Sequence, residues 1–231
     1  GIEHVVLERG RVGDSWRSRR WDSFRLQILN RLCELPGYAY AGDDPDGFMH
    51  RDDIVAFFDG YARSFEPPVR EGVVVTELRR GDDGGWVITT AAGDVLHAAN
   101  VVVATGAHER AHVPAMARNL DPGIVQVHTD VYKNPGQLPA GAVLVVGGGS
   151  SGGQIAAELL DHGRPVYLAL GSGPWLVRSY RGRDISGWDE ASGFSAQPVQ
   201  SLDGPAQRLA ALPILGVNDT GETLSPRVLH T

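Results

Sequence analysis

Hydrophobic residues along this chain mostly form short runs typical of strands, and one early stretch shows helical spacing instead. In the stretch HRDDIVAFFDGYARSF, residues 50–65, the spacing i, i+3, i+4, i+7, i+11 is filled by Ile54, Phe57, Phe58, Tyr61 and Phe65. One apolar face of this kind predicts an amphipathic helix. The Arg- and Trp-rich residues 9–40 lack such periodicity, so we predict loops and short turns there.

Three apolar runs between residues 69 and 106 are separated by the turn sequences GDDGG and AAGD. They predict a small antiparallel β-meander, whose last run, NVVVATG, is fully apolar and is expected to run inward as a buried strand. The Pro- and Gly-rich residues 112–141 follow this run. They are the best candidate for a connection between two domains.

The stretch AVLVVGGGSSGGQIAAELLDHGRPVYLAL predicts a β–α–β unit. A strand over Val143–Val146 leads into a helix over about residues 152–162, Gly163 caps that helix, and a second strand covers residues 165–170. Gly147, Gly149 and Gly152 form a G-x-G-x-x-G pattern between the first strand and the helix. Such glycines allow a tight turn, backbone approach to a pyrophosphate, and close packing of helix on strand.

This context predicts a dinucleotide site rather than a purely structural glycine turn. Ser150 and Ser151 open the helix and can also hydrogen-bond a phosphate, although an ordinary helix-start role fits them too. The second strand ends in YLALGSG, without the acid that holds the 2′-hydroxyl of NAD. Because Arg178, Arg181 and Arg183 follow, NADP is favoured. The alternative places these arginines in a solvated loop.

The opening residues GIEHVVLERG look like the end of the second strand of another dinucleotide unit, with Glu8 as the ribose ligand. The glycine loop expected about twenty residues earlier does not precede it, and truncation explains this better than degeneration, since the later elements follow in order. The final residues, GETLSPRVLHT, likewise stop before a returning strand. We therefore predict an α/β protein with two Rossmann-like, three-layer ββα-type dinucleotide-binding domains, residues 1–138 and residues 139–231, the second for NADP and both incomplete.

The amino-acid composition excludes several classes of protein and kinds of site. The 231 residues are 42% hydrophobic, enough for one large or two small domains, and the net charge of −7 does not suggest a nucleic-acid surface. Seven arginines lie between Arg9 and Arg31, either as a solvated face or as a phosphate-attracting rim. The single Cys33 excludes an intrachain disulfide, a Cys-x-x-Cys pair and a Cys-based zinc site, and fits a reducing, cytoplasmic setting. No apolar run is long enough for a membrane span, and no metal site is predicted.

Several motifs resemble those of flavin-containing monooxygenases, including the plant YUCCA type and its bacterial relatives. They are VVLERGRVGDSWR, the ATG of residues 104–106 followed by Pro114, HTDVYK, and VLVVGGGSSGGQIAAELLDHG. His128 and Tyr132 match the end of the family signature F-x-G-x-x-x-H-x-x-x-Y, whereas Pro122 and Ile124 replace its Phe and Gly. Ala111 also replaces the first Pro that the family has after ATG.

The resemblance implies FAD and NADP as cofactors, with FAD in the domain of residues 1–138 and NADP in the domain of residues 139–231. It implies that Glu8 binds the FAD ribose and that the other FAD contacts are Arg9, Gly13, Trp16, Arg17, Ala104, Thr105 and Gly106. A core role is the alternative for Trp16. The resemblance implies that His128 either has a structural role or lies next to NADP. No catalytic residue is predicted.

The implied reaction is an NADPH- and FAD-dependent monooxygenation, in which a flavin hydroperoxide passes one oxygen atom from O₂ to a small organic substrate. The truncated chain itself is expected to be inactive and to hold NADP better than FAD. The alternatives are an NADPH-dependent flavin reductase or oxidase without oxygenation, and a silent nucleotide-binding module. A thioredoxin-reductase-like enzyme needs a dithiol, which a single cysteine cannot form.

Overall fold

The computed structural model describes residues 2–106, 110–171, 175–194, 196–202, 204, 216–218, 223–225 and 229. Its helices are α1 (Asp14–Ser18), α2 (Arg51–Phe65), α3 (Ser150–Asp161) and α4 (Ile185–Ser192). Its strands in the first half are β1 (Val6–Leu7), β2 (Glu34–Leu35), β3 (Tyr38–Ala39), β4 (Val69–Arg70), β5 (Val75–Arg80), β6 (Trp86–Thr90) and β7 (Val95–Ala98). The later strands are β8 (Val143–Val146), β9 (Val166–Ala169), β10 (Ser179–Tyr180), β11 (Arg183–Asp184), β12 (Gly216–Val217) and β13 (Thr223–Leu224).

The predicted β–α–β unit is confirmed. Strands β8 and β9 pair in parallel from Val143↔Val166 to Val146↔Ala169, and α3 connects them. The helix begins at Ser150, two residues before the predicted start. It ends in a Schellman motif, in which the Gly163 N–H donates to the Leu160 carbonyl and the Arg164 N–H donates to the Leu159 carbonyl. Gly163 has φ +70°, which explains why a glycine stands there.

The first half is built around α2, which begins one residue after the predicted start. Its N-terminus is held by Asp53, whose carboxylate accepts the His50 backbone N–H at 3.1 Å. Strand β1 pairs in parallel with β4, and α1 packs against α2. Residues 9–40 otherwise form loops, turns and the short β2–β3 hairpin, largely as predicted.

The meander is confirmed as the antiparallel sheet β5–β6–β7, with Val87 and Ile88 of β6 buried. The prediction of an inward strand at NVVVATG is wrong. Residues 101–106 form no strand, and Val102 and Val103 are 88% and 68% exposed. A strand needs a neighbouring ladder for its backbone groups, and no described strand pairs with this segment.

One hydrophobic core joins the two halves of the chain. Trp21, Phe24 and Ile54 of the first half lie in one buried cluster with Ile155 and Leu159 of α3. The predicted boundary at residue 138 therefore divides two units that share a core. That boundary and the pair of Rossmann-like domains stay predictions.

Beyond residue 170, where no element was predicted, the structure has the β10–β11 hairpin, α4 and the β12–β13 pair. The hairpin turns through Arg181 and Gly182, with φ of +52° and +72°, the two positive values that a type I′ turn requires. The expectation that residues 221–231 stop before a returning strand stays a prediction, because only residues 223–225 and 229 of this segment are described. Within the described ranges, no helix combines the length and the apolarity needed to cross a bilayer.

Candidate dinucleotide-binding site

The three motif glycines form a tight bend between β8 and α3. Gly147 has φ +110°, a conformation that L side chains rarely adopt. A Cβ atom on Gly152 would overlap the Gly147 carbonyl oxygen. The two atoms would be much closer than 3.0 Å, a separation below which real Cβ contacts are essentially never found. Backbone therefore packs on backbone here, and only glycine fits at position 152.

Among the described residues, the outer side of this bend is open. A Cβ on Gly147 or on Gly149 would meet no atom of these residues within 4 Å. Gly149 is the N-cap of α3, none of the described side chains caps the helix, and Ser151 is exposed. The first N–H groups of a helix lack intrahelical partners and carry partial positive charge. The open N-terminus of this 12-residue helix thus has the geometry that binds a phosphate.

Two apolar side chains pack behind the bend, a feature that was not predicted from the sequence. A Cβ on Gly148 would meet Leu170 Cδ2 and would lie 3.4 Å from Trp175 Cζ2. A Cβ on Gly153 would lie 3.3 Å from Trp175 Cη2. In the sequence, the glycines at 148 and 153 indicated this packing, because the motif does not require glycine at these two positions. They make room for the Trp175 indole while the face formed by Gly147 and Gly149 stays open.

Glu8 lies where the sequence predicted, directly after β1. Its carboxylate Oε1 accepts the Gly10 N–H at 2.7 Å, and its backbone N–H and carbonyl bond to Arg70 and Val73. The carboxyl group is half-buried at the carboxyl end of a parallel strand, where ribose ligands are found. Gly13, with φ +72°, forms the start of α1.

Arg17 and Trp16 are both engaged in packing α1 against its neighbours. The Arg17 guanidinium donates to both carboxylate oxygens of Asp59 at 2.6 Å, and its Nε donates to the Val12 carbonyl at 3.2 Å. The Trp16 ring lies 5.7 Å from that of Phe24 and stacks on Phe58 at 6.1 Å. These contacts fit the core alternative for Trp16, and its cofactor contact stays a prediction.

The remaining predicted FAD contacts lie at the surface. Ala104, Thr105 and Gly106 are exposed, with Gly106 at φ +81°, and Arg9 is exposed beyond β1. The structure places these residues in irregular segments and brings no described strand alongside residues 104–106. Their approach to a flavin stays a prediction.

The structure argues against the NADP contact predicted for Arg178. This side chain is only 1% exposed, and its Nε donates to Asp184 Oδ2 at 2.6 Å. Its Nη1 donates to the Gln27 carbonyl at 2.7 Å, and the guanidinium lies 4.7 Å from the centre of the Phe48 ring. A guanidinium held in this way is part of the interior and is not presented to a solvent-borne phosphate. Arg181, in contrast, is exposed at the tip of the β10–β11 hairpin.

Tyr132, the last residue of the family signature, connects the first half of the chain to α3. Tyr132 is 3% exposed, and its hydroxyl donates to Glu158 Oε2 of α3 at 2.7 Å. Burial raises the pKa of Tyr132 above its usual range, and this hydrogen bond raises it further.

His128 Nδ1 accepts the Asp130 N–H at 3.2 Å, which agrees with a structural role. Among the described residues, no three His, Cys, Asp or Glu side chains cluster as metal ligands.

A family model of pyridine nucleotide-disulphide oxidoreductases matches residues 1–190. The chain belongs to this family. Its curated relatives include an "uncharacterized oxidoreductase CzcO-like" of Geobacillus kaustophilus, 37% identical over 213 residues, covering 92% of the chain and 60% of the relative. They also include the indole-3-pyruvate monooxygenase YUCCA1 of Oryza sativa, 33% identical over 165 residues, covering 71% of the chain and 40% of the relative.

Among solved structures, a flavin-containing monooxygenase from Stenotrophomonas maltophilia aligns with 96% of the chain and 72% of its own length, with a TM-score of 0.66 and 21% identity. That likeness supports the fold, and the match to YUCCA1 confirms the predicted resemblance to the YUCCA type of flavin-containing monooxygenases. The chain spans about 60% of the length of the Geobacillus relative.

Proposed function

We propose that this chain is the nucleotide-binding part of an NADPH- and FAD-dependent monooxygenase that acts on a small organic substrate. Residues 1–138 would hold FAD and residues 139–231 would hold NADP. The observation that carries the proposal is the open glycine bend before α3, with backbone packed on backbone at Gly152 and no atom of the described residues beside a Cβ on Gly149. The match to a pyridine nucleotide family over residues 1–190 supports it.

In the NADP half, backbone N–H groups of residues 149–152 would donate to the pyrophosphate, assisted by the helix dipole and the Ser150 and Ser151 hydroxyls. NADP rather than NAD is favoured, because β9 ends at Ala169 and is followed by Leu170 and Gly171, with no acid to hold a 2′-hydroxyl. Of the three predicted cations, Arg178 is withdrawn into the interior. Exposed Arg181 and Arg183 are left as the candidates for a 2′-phosphate.

In the FAD half, the Glu8 carboxylate would accept a hydrogen bond from a ribose hydroxyl, and Gly13 would let the backbone come close to the cofactor. When bound, FAD supplies the redox chemistry between NADPH and O₂. The protein's own part is to bind and orient both nucleotides and to keep water away from them. Dithiol chemistry is not available within this chain, since Cys33 is its single cysteine and is buried.

A titration of the 231-residue chain with NADP⁺ and with NAD⁺ tests the nicotinamide site. Binding is measured by calorimetry and by tryptophan fluorescence, because Trp175 lies directly behind the glycine bend. We expect NADP⁺ to bind more tightly than NAD⁺. The Gly149→Ala variant adds a methyl group to the open face at φ −72°, where alanine is allowed, and should weaken NADP⁺ binding about tenfold, equal to about 1.4 kcal/mol.

Gly136→Ala is the matched control. Its added Cβ would lie 3.2 Å from the Asn134 side-chain oxygen, far from the bend in sequence, and NADP⁺ should bind this variant as it binds the wild type. Absence of NADP⁺ binding, or wild-type affinity in Gly149→Ala, would contradict the proposed site.

The complete protein tests the reaction. Anaerobic NADPH should bleach its flavin absorbance, and during turnover with substrate the oxygen consumed should exceed the peroxide released. Oxygen uptake matched by peroxide would instead indicate the oxidase alternative, and a colourless protein would indicate the silent nucleotide-binding module.

A further inference from the structure

Helix α3 presents two polar side chains to the first half of the chain. Gln154 and Glu158 are four residues apart, so they lie on one face of the helix. Gln154 is only 7% exposed and binds the backbone of Arg25 at two points. Its Oε1 accepts the Arg25 N–H at 3.0 Å, and its Nε2 donates to the Arg25 carbonyl at 3.0 Å. The side-chain amide thus pairs with Arg25 as a neighbouring strand would.

Arg25 is connected to α1 through the residue that precedes it. The preceding residue, Phe24, packs its ring against Trp16 of α1 at 5.7 Å. Trp16 belongs to residues 13–17, the segment in which the family resemblance implies FAD contacts at Gly13, Trp16 and Arg17. A path of direct contacts therefore runs from α3 through Gln154 and Arg25 to that segment.

A second connection supports the same segment. Glu158 accepts the Tyr132 hydroxyl, and the next residue, Lys133, donates its Nζ to the Ser18 and Arg20 carbonyls. The Lys133 carbonyl accepts the Asp22 N–H at 2.8 Å. The turn that follows α1 is thus also held by α3.

We propose that Gln154 is a positioning residue that couples nucleotide binding at the glycine bend to the backbone of residues 13–25. This inference rests on the proposed function. Gln154 lies one turn after Ser150, so a phosphate that fixes the first turn of α3 also fixes the Gln154 backbone. Because both polar groups of the buried amide are paired with Arg25, a shift of α3 away from Arg25 would leave them unpaired, which is unfavourable.

Hydrogen exchange at the Arg25 amide tests this proposal directly, since that N–H is the donor to Gln154. Exchange is measured on the 231-residue chain with and without saturating NADP⁺. We expect NADP⁺ to slow exchange at Arg25 about tenfold, a coupling within the usual allosteric range. In Gln154→Met, which keeps the length of the side chain but removes both hydrogen bonds, NADP⁺ should still bind and the ratio of the two exchange rates should fall to about one.

Gln154→Ala is a second variant that decides the question if the methionine variant does not fold, and Asp161→Asn, exposed on the same helix, is the control that should retain the wild-type ratio. A merely structural Gln154 would change the basal exchange rate but not the ratio. Retention of the wild-type ratio in a folded Gln154 variant that binds NADP⁺ would overturn the coupling. NADP⁺ binding to the wild type without slowing at Arg25 would overturn the coupling alone, whereas absence of binding would overturn the proposed function as well.

Discussion

Replacing Gly152 with alanine is the substitution that most directly tests the backbone packing of the glycine bend. The new Cβ would overlap the Gly147 carbonyl oxygen, would lie 3.1 Å from the carbonyl carbon, and would lie 3.6 Å from Val145 Cγ1. The overlapping atom belongs to the backbone, so no rotamer change can relieve the overlap. Either the bend or the start of α3 has to move.

Overpacking of this kind costs about 1–3 kcal/mol, and the overlap here favours the upper end of that range. Alanine is the better helix former and returns up to about 1 kcal/mol. We therefore expect a net loss of about 2 kcal/mol in the free energy of unfolding. For a chain of this size, 1 kcal/mol corresponds to about 2–4 °C, so Tm should fall by about 4–8 °C.

Thermal unfolding followed by circular dichroism measures this change, with Gly149→Ala as the matched control. The Cβ of that control meets no atom of the described residues within 4 Å and its φ is −72°, so only the N-cap preference of glycine is lost. That loss should be no more than about 1 kcal/mol, or about 3 °C. A wild-type Tm in Gly152→Ala, or a larger loss in the control, would refute the packing described for the bend.

Three further predictions concern polar groups. Asp184→Asn keeps the cap on α4 but leaves the 1%-exposed Arg178 without an opposing charge, and should cost about 3 kcal/mol in urea unfolding. Tyr132→Phe loses a hydrogen bond to a carboxylate and should cost about 1–2 kcal/mol at pH 7. Because the folded-state pKa of Tyr132 is raised, its stabilising effect holds below about pH 10 and is lost above it, so the wild type should lose stability relative to the phenylalanine variant as the pH rises from 9 to 11. Asp59→Asn removes a partly exposed pair with Arg17 and should cost no more than about 1 kcal/mol, less at high salt.

Each of these predictions has an outcome that contradicts it. Wild-type stability in Asp184→Asn would show that Arg178 does not depend on this carboxylate, and the exposed Asp161→Asn serves as its control. Parallel pH profiles for the wild type and Tyr132→Phe would contradict the raised pKa of Tyr132. A salt-independent loss of several kcal/mol in Asp59→Asn would mean that Asp59 contributes more than an ion pair.

The elements that the sequence predicted best depend on short-range information. The GGGSSGG bend, β8 and α3 lie within about twenty consecutive residues, and their glycines, apolar runs and caps specify local backbone conformations. The meander and α2 were predicted for the same reason, since turn sequences and helical spacing act over a few residues.

The arginines after β9 show where this information ends. Arg178, Arg181 and Arg183 look alike in the sequence, yet Arg178 is buried against Asp184 and Gln27, whereas Arg181 is exposed at a hairpin tip. The prediction of a buried strand at NVVVATG was wrong for a related reason. A run of apolar residues predicts a strand only if a partner ladder lies beside it, and no described strand does.

The β–α–β unit, its glycine bend and the resemblance to flavin-containing monooxygenases could be predicted from the amino-acid sequence, because each depends on residues close together along the chain. The three-dimensional packing was needed to show that Trp175 lies behind the bend, that Arg178 is interior, and that Gln154 pairs with Arg25, 129 residues away. Contacts between distant residues depend on how helices and strands pack. Composition and periodicity specify which face of an element is buried, but they do not specify what that face meets.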